Sequence, residues 1–135
     1  MKVNKTYVLF IRNDNKLPLR VGRALFCVFP PGEYIYIGSA KKNLKKRVLR
    51  HFSSDKKYHW HIDYFLAYTK IEKVYIGKIE EKELVSYIFK TLNPEIPCPG
   101  FGASDSPCLT HLFLIKDEDL VIDFLKSLDF SYMEI

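Results

Sequence analysis

Arg47 and His51 stand four residues apart in a segment of helical pattern, so they are neighbours on one face, directly after the glycine and serine of YIGSA. An arginine's planar fork can take two phosphate oxygens, and the pair could grip a phosphate between them. Lys41, Lys42, Lys45, Lys46, Lys56 and Lys57 add a positive field around it. A solvated basic helix face fits the same residues. Further on, an angular step of about 100° per residue puts Glu81, unlike Glu83, in the middle of the apolar stripe formed by Leu84, Val85 and Ile88. It should therefore point inward. A carboxylate in the first turn of a helix either caps it locally or holds a cation.

The elements that must position these groups follow from periodicity. TYVLFIR (6–12) reads as a first strand, followed by the turn formers Asn13, Asp14 and Asn15. The apolar stretch from Leu17 to Phe29 is broken at Gly22 and stopped by Pro30, Pro31 and Gly32, and YIYIG (34–38) reads as a buried strand. In 41–52, Leu44, Val48 and Phe52, widened by Leu49, form a helical stripe. HWHIDYFLAYT (59–69) is ambiguous between helix and strand, and IEKVYIGKI (71–79) looks like a strand. Leu84, Val85, Ile88, Phe89 and Leu92 mark a helix ending before Pro94. Residues 94–108, with four prolines and two glycines, form a long loop. HLFLI (111–115) is a strand candidate, and Asp117 can cap a last helix that turns Leu120, Val121, Phe124, Leu125 and Leu128 inward.

If 59–69 is a strand, His59, His61 and Asp63 share one of its sides, and Cys98, Cys108 and His111 lie close in sequence. Both sets hint at zinc, but neither has zinc-finger spacing, and the histidines are assigned to hydrogen bonding in the wall of the site. Tyr58, Trp60 and Tyr64 can stack on bases; beside an apolar run, Trp60 is assigned to the core. Gly100-Phe101-Gly102 either lets backbone approach a phosphate or serves a turn.

A chain of 135 residues, 47% hydrophobic and 27% charged, has the size and balance of one globular domain spanning 1–135. Its three cysteines, odd in number and widely spaced, are too few for a disulfide framework, so a reducing, cytoplasmic setting is expected. No segment approaches the roughly 18 apolar residues of a membrane helix. The net charge of +5 hides a segregation, since residues 1–78 hold 17 Lys and Arg against 5 Asp and Glu, while 79–135 hold 4 against 11. A basic half of that size draws polyanions, of which nucleic acid is the commonest.

YIYIGSA, LKKR with His51 after it, and Glu81 with Leu84 and Val85 beyond resemble the GIY-YIG nuclease superfamily. PPGEYIYIGSA, RHF, KKYHWHIDYF, GFGASD and HLF together are similar to a branch of it sometimes joined to an endonuclease III domain. The resemblance runs from about Tyr7 to Phe113. It implies an α+β fold, a small antiparallel sheet flanked by helices, here with a C-terminal strand and helix added. It also implies a single catalytic site in which Tyr7 and Tyr36 are the motif tyrosines, Arg47 contacts the scissile phosphate and His51 assists proton transfer or phosphate binding. Glu81 would be the lone protein ligand of magnesium or manganese, with water and phosphate oxygens completing the shell. A tyrosinate or metal-activated hydroxide would prepare the attacking water. Contact with nucleic acid, DNA rather than RNA, falls to Lys41, Lys42, Lys45, Lys46, Arg50, Lys56, Lys57, His59 and His61.

The chain departs from the superfamily in two places. Thr6-Tyr7-Val8 replaces the glycine and isoleucine of the first motif, and Tyr7 to Tyr36 is longer than the usual hairpin. The asparagine that commonly follows the glutamate helix is matched only by the candidates Asn93, Ser104 and Asp105. The expected activity is metal-dependent endonucleolytic cleavage of DNA in repair or processing, with a non-catalytic nucleic-acid-binding module or a zinc-binding accessory domain as alternatives.

Overall fold

The computed structural model describes residues 3–103 and 109–135. Its centre is β1 (Thr6–Asn13), a run of β-branched and aromatic residues whose first six members are all buried. It pairs antiparallel with β4 (Gly32–Ser39) on one side and β5 (Lys70–Gly77) on the other. With β6 (Leu112–Ile115) beyond β4 and the short β7 (Ser131–Tyr132) beyond β5, the sheet has the order β6-β4-β1-β5-β7. β2 (Leu17–Val21) and β3 (Leu25–Phe29) pair only with each other, as a hairpin between β1 and β4.

Strand alternation divides the core in two. Tyr7, Leu9, Ile11, Tyr34 and Tyr36 point to one side, where they meet Val48 of α1 (Leu44–Phe52), Ile62 and Phe65 of α2 (His61–Leu66), Val21 and Phe29 of the hairpin, and Phe101. Val8, Phe10, Ile35 and Ile37 point to the other, against Leu84, Val85 and Ile88 of α3 (Glu81–Leu92) and Val121 and Leu125 of α4 (Glu118–Ser127). The architecture is α+β, with an antiparallel five-stranded sheet, a two-stranded sheet and four flanking helices. Asp117 caps α4 as its residue type suggests, accepting the Leu120 N–H at 3.2 Å. Among the described residues no helix is long and apolar enough to cross a membrane.

Several sequence readings change. The ambiguous segment is helical over His61–Leu66, so His59, His61 and Asp63 do not line a strand. Leu49, Phe52, Phe89 and Leu120 lie at the margins of their stripes and are exposed, because helices resting on a sheet bury a narrower band than periodicity alone suggests. Cys27 and Cys98 form a disulfide across 71 residues of sequence, with Cα atoms 5.6 Å apart. This removes the cysteine argument for a reducing compartment, and Cys98 is not available as a zinc ligand. Cys108, Ser104 and Asp105 lie outside the described residues.

One close approach sets up the site. Gly38 stands opposite Tyr7 in the β1–β4 register, and a Cβ built on it would fall 2.4 Å from both Cζ and Oη of the tyrosine. Only glycine lets the Tyr7 ring lie there. Gly38→Ala is expected to lower stability by about 1–3 kcal/mol through overpacking. Denaturant unfolding of the variant measures it, and an unchanged midpoint would show that the ring has another place to go.

Candidate active site

A cavity of about 260 Å³ opens at the end of β4 where the two helical layers approach each other around the sheet. Tyr7 and Tyr36 reach it from the α1 side of the sheet, Arg47 from α1 and Glu81 from the first turn of α3. Glu81 thus faces a pocket rather than capping its own helix, whose N-cap position is Glu80. The joint between acid and guanidinium is Ser39, the last residue of β4. Its carbonyl accepts Arg47 Nη1 at 2.9 Å, and its hydroxyl donates to Glu81 Oε1 at 3.2 Å. The other carboxylate oxygen, Oε2, lies 3.5 Å from His111 Nδ1.

Behind the cavity, Tyr7 Oη and His51 Nε2 are hydrogen-bonded at 2.7 Å, and His51 is 3% exposed. Burial first, and then the nearby Lys56, Arg50 and Arg47 charges set against Asp63, lower the His51 pKa from 6.5 to about 4. The imidazole is therefore neutral at neutral pH. Its Nδ1 is buried without a hydrogen-bond partner among the described residues, so nothing at that nitrogen stabilises the doubly protonated ring. Burial, reinforced by the neighbouring Tyr36, raises the Tyr7 phenol well above its usual 10, and burial does the same to Tyr36. Neither tyrosine rests as an anion.

The rim is organised by Asp63, a fully buried carboxylate. It takes Arg50 Nη1 and Nη2 at 3.0 and 3.2 Å and the backbone N–H groups of His59 and Trp60 at 2.8 and 3.0 Å. Burial pushes its pKa up, but the guanidinium and the two amides outweigh this and hold it below the ordinary value. Trp60 is consequently not core. It is 37% exposed on the rim, with the guanidinium carbons of Arg47 and Arg50 at 4.9 and 4.5 Å from its ring centroid. His61 accepts the Gly102 N–H on Nδ1 at 2.8 Å, which fixes the neutral Nε2–H tautomer. That bond also occupies the glycine amide, so the GFG segment closes the wall rather than offering its Gly102 amide to a phosphate.

The other sequence-derived residues divide cleanly. Lys41, Lys42, Lys45, Lys46 and Lys57 are exposed and make a basic surface beside the cavity, and His59 lines its edge. Arg50 is committed to Asp63. Lys56 does not join the basic surface, since its side chain is 8% exposed and its ammonium donates to the carbonyls of Arg50 and His51. Asn93 sits at the C-cap of α3, the end opposite Glu81, in a left-handed conformation. His111 lines the cavity wall, as expected of the histidines, and Ser39, Trp60 and Lys82 join it although the sequence did not point to them. Ser39 was legible only as part of YIGSA. A larger hollow of about 450 Å³ is lined in part by His51, but of its charged residues Asp63 and Lys56 are already paired and Lys70 is exposed to solvent.

The donor set suits a hard divalent ion. Glu81 is a single, partly exposed carboxylate facing the cavity, which matches magnesium's habit of keeping several waters. Among the described residues no three His, Cys, Asp or Glu side chains gather as a metal-binding group.

In comparisons with known proteins, residues 6–131 match the family described as Domain of unknown function DUF123. The match spans nearly the whole chain, which belongs to that family. No match is found to a curated protein or to a solved structure.

The neutral His51 makes a pH prediction. Its folded pKa is depressed, so the unfolded chain takes up the proton first as pH falls. Stability should be unaffected above about 6.5 and decline between there and about 4, by roughly 3 kcal/mol for the shift of its pKa from 6.5 to about 4. Urea unfolding across that range should show a shallower acid decline in His51→Gln; an identical slope would place the acid lability elsewhere.

Proposed function

We propose that this member of the DUF123 family is a divalent-metal-dependent endonuclease that hydrolyses phosphodiester bonds in DNA. The observation that carries the reading is the convergence of Arg47 and Glu81, from two different helices, on one cavity, joined through the two polar groups of Ser39. An anion-gripping fork beside a carboxylate able to hold a cation is what a bound phosphate requires. The resemblance of YIYIGSA, Arg47, His51 and Glu81 to the GIY-YIG superfamily supports the same assignment.

In this reading Arg47 holds the scissile phosphate, and its anchoring to the Ser39 carbonyl and its place over Trp60 keep the fork in position before substrate arrives. Glu81 would hold magnesium or manganese, with the Ser39 hydroxyl orienting one oxygen and His111 Nδ1, which is also 3.2 Å from the Ile37 carbonyl, standing 3.5 Å from the other. When bound, that ion supplies electrostatic stabilisation for the charge that develops on the phosphate and the leaving oxygen. Because both phenols resist ionisation, the base is a pair: Tyr7 Oη takes the proton of the attacking water as its own passes to His51 Nε2. His51 cannot keep the proton in its buried setting, so the pair resets by returning it to the leaving group or to solvent. The exposed lysines of 41–46 attract the polyanion and contribute to affinity rather than to the chemical step.

The raised phenol pKa values also favour a second reading, a non-hydrolytic nucleic-acid-binding module that uses the same basic surface. Incubating the purified protein with supercoiled, single-stranded and branched DNA, and with RNA, with and without magnesium or manganese, separates the two. Hydrolysis predicts cleavage that disappears with EDTA and drops at least a hundredfold in Glu81→Gln, on the scale of losing one transition-state electrostatic contact. Arg47→Ala should lower the cleavage rate far more than affinity, whereas Lys45→Ala should lower affinity alone. Salt-sensitive binding that never leads to cutting would establish the module instead.

A further inference from the structure

The β2–β3 hairpin is the largest feature that the cleavage site does not use. Its inward face is sealed: Val21 and Phe29 are fully buried, and Cys27 is bonded to Cys98, a few residues before Gly102 in the cavity wall. Its turn abuts the cavity as well, because a Cβ on Gly22 would lie 3.6 Å from the His61 ring. The outward face is different. In the register Pro18 is opposite Val28 and Arg20 is opposite Phe26, and all four are exposed, Phe26 by 56%. Between Asn15 and Phe29 there are three basic residues, Lys16, Arg20 and Arg23, and no acidic one.

We propose that this outward face is a second substrate-binding element, which holds an unpaired DNA strand as it leaves the cleavage cavity. The proposal rests on the nuclease reading for its substrate, and on the hairpin for its class. Arg20 and Arg23 match the charge of successive phosphates. Phe26 offers an exposed aromatic side chain paired in the register with Arg20, whose guanidinium donates to the Arg23 carbonyl at 3.3 Å, and an exposed ring within a basic element is how proteins hold unstacked bases without reading sequence. A base within a duplex cannot reach such a ring, so the arrangement selects DNA that is single-stranded next to the cut. The buried inner face and the disulfide keep the backbone of the arm fixed relative to the cavity, so binding has only side chains to order.

The test is binding of labelled single-stranded and fully duplex oligonucleotides in EDTA, followed by anisotropy across a salt series, with cleavage measured separately in magnesium. Phe26→Ala should bind the single strand about tenfold more weakly and the duplex as before, with an unchanged unfolding temperature. The double variant Arg20→Ala/Arg23→Ala should reduce the salt slope for the single strand by roughly one for each arginine. Should both variants bind both oligonucleotides like the unaltered protein while Arg47→Ala has lost cleavage, the hairpin proposal fails and the nuclease reading stands. Should the unaltered protein never cleave, yet the hairpin variants lose affinity for the single strand, the reverse holds. Equal losses for duplex and single strand would overturn the selectivity for unpaired DNA, and no binding to either oligonucleotide would overturn both ideas.

Discussion

A carboxylate with no exposed surface is costly to keep charged, and the neighbourhood of Asp63 is built around meeting that cost. The Arg50 guanidinium is drawn in from α1 to pair with it, and the amides of His59 and Trp60 are turned toward it at the start of α2. Those requirements fix the angle at which α2 departs and stand Trp60 on the rim. Arg47, one turn before Arg50, then lies against the same indole. One satisfied buried charge therefore helps to place the Arg47 guanidinium, although Asp63 itself is set back from the cavity.

The sheet supplies the second half of the geometry. Because β1 is covered on both faces, successive residues belong to different layers: Tyr7 joins the layer containing α1, and Val8 joins the layer containing α3. A pocket that needs side chains from both layers can form only where the sheet ends. Ser39 stands at that end, with backbone polarity available to one layer and a hydroxyl available to the other. The tyrosine pocket depends in turn on the missing side chain at Gly38.

Much of this was legible as pattern. The inward angle of Glu81 and the cap at Asp117 are local properties of helices, and both groups take the orientation their spacing gives, whereas Arg47 and His51, one turn apart, part company: Arg47 lines the cavity and His51 is buried behind it against Tyr7. What escaped depends on encounters across long stretches of chain. Cys27 meets Cys98 only after five further strands and helices have been laid down between them, so their separation in sequence carried no signal. Lys56 looks like any surface lysine until His51 and Asp63 close over it. Trp60 reads as core by its type; the amide anchoring that turns it outward belongs to Asp63, three residues on, once that segment becomes helical. The hairpin's two strands were visible as an apolar stretch interrupted at Gly22, but not which of their faces would be left uncovered.

The Cys27–Cys98 bond has one more effect, on the chain before it folds. The residues it encloses include β4, α1, α2, β5 and α3, and therefore Tyr36, Arg47, His51 and Glu81, while Tyr7 stays outside. In the chain-entropy account, closing a covalent ring of that size removes about 4 kcal/mol of disorder from the denatured ensemble. Both strands that β1 pairs with, β4 and β5, lie inside the ring while β1 lies outside it, so the bond shortens the search that brings those two partners to the same place.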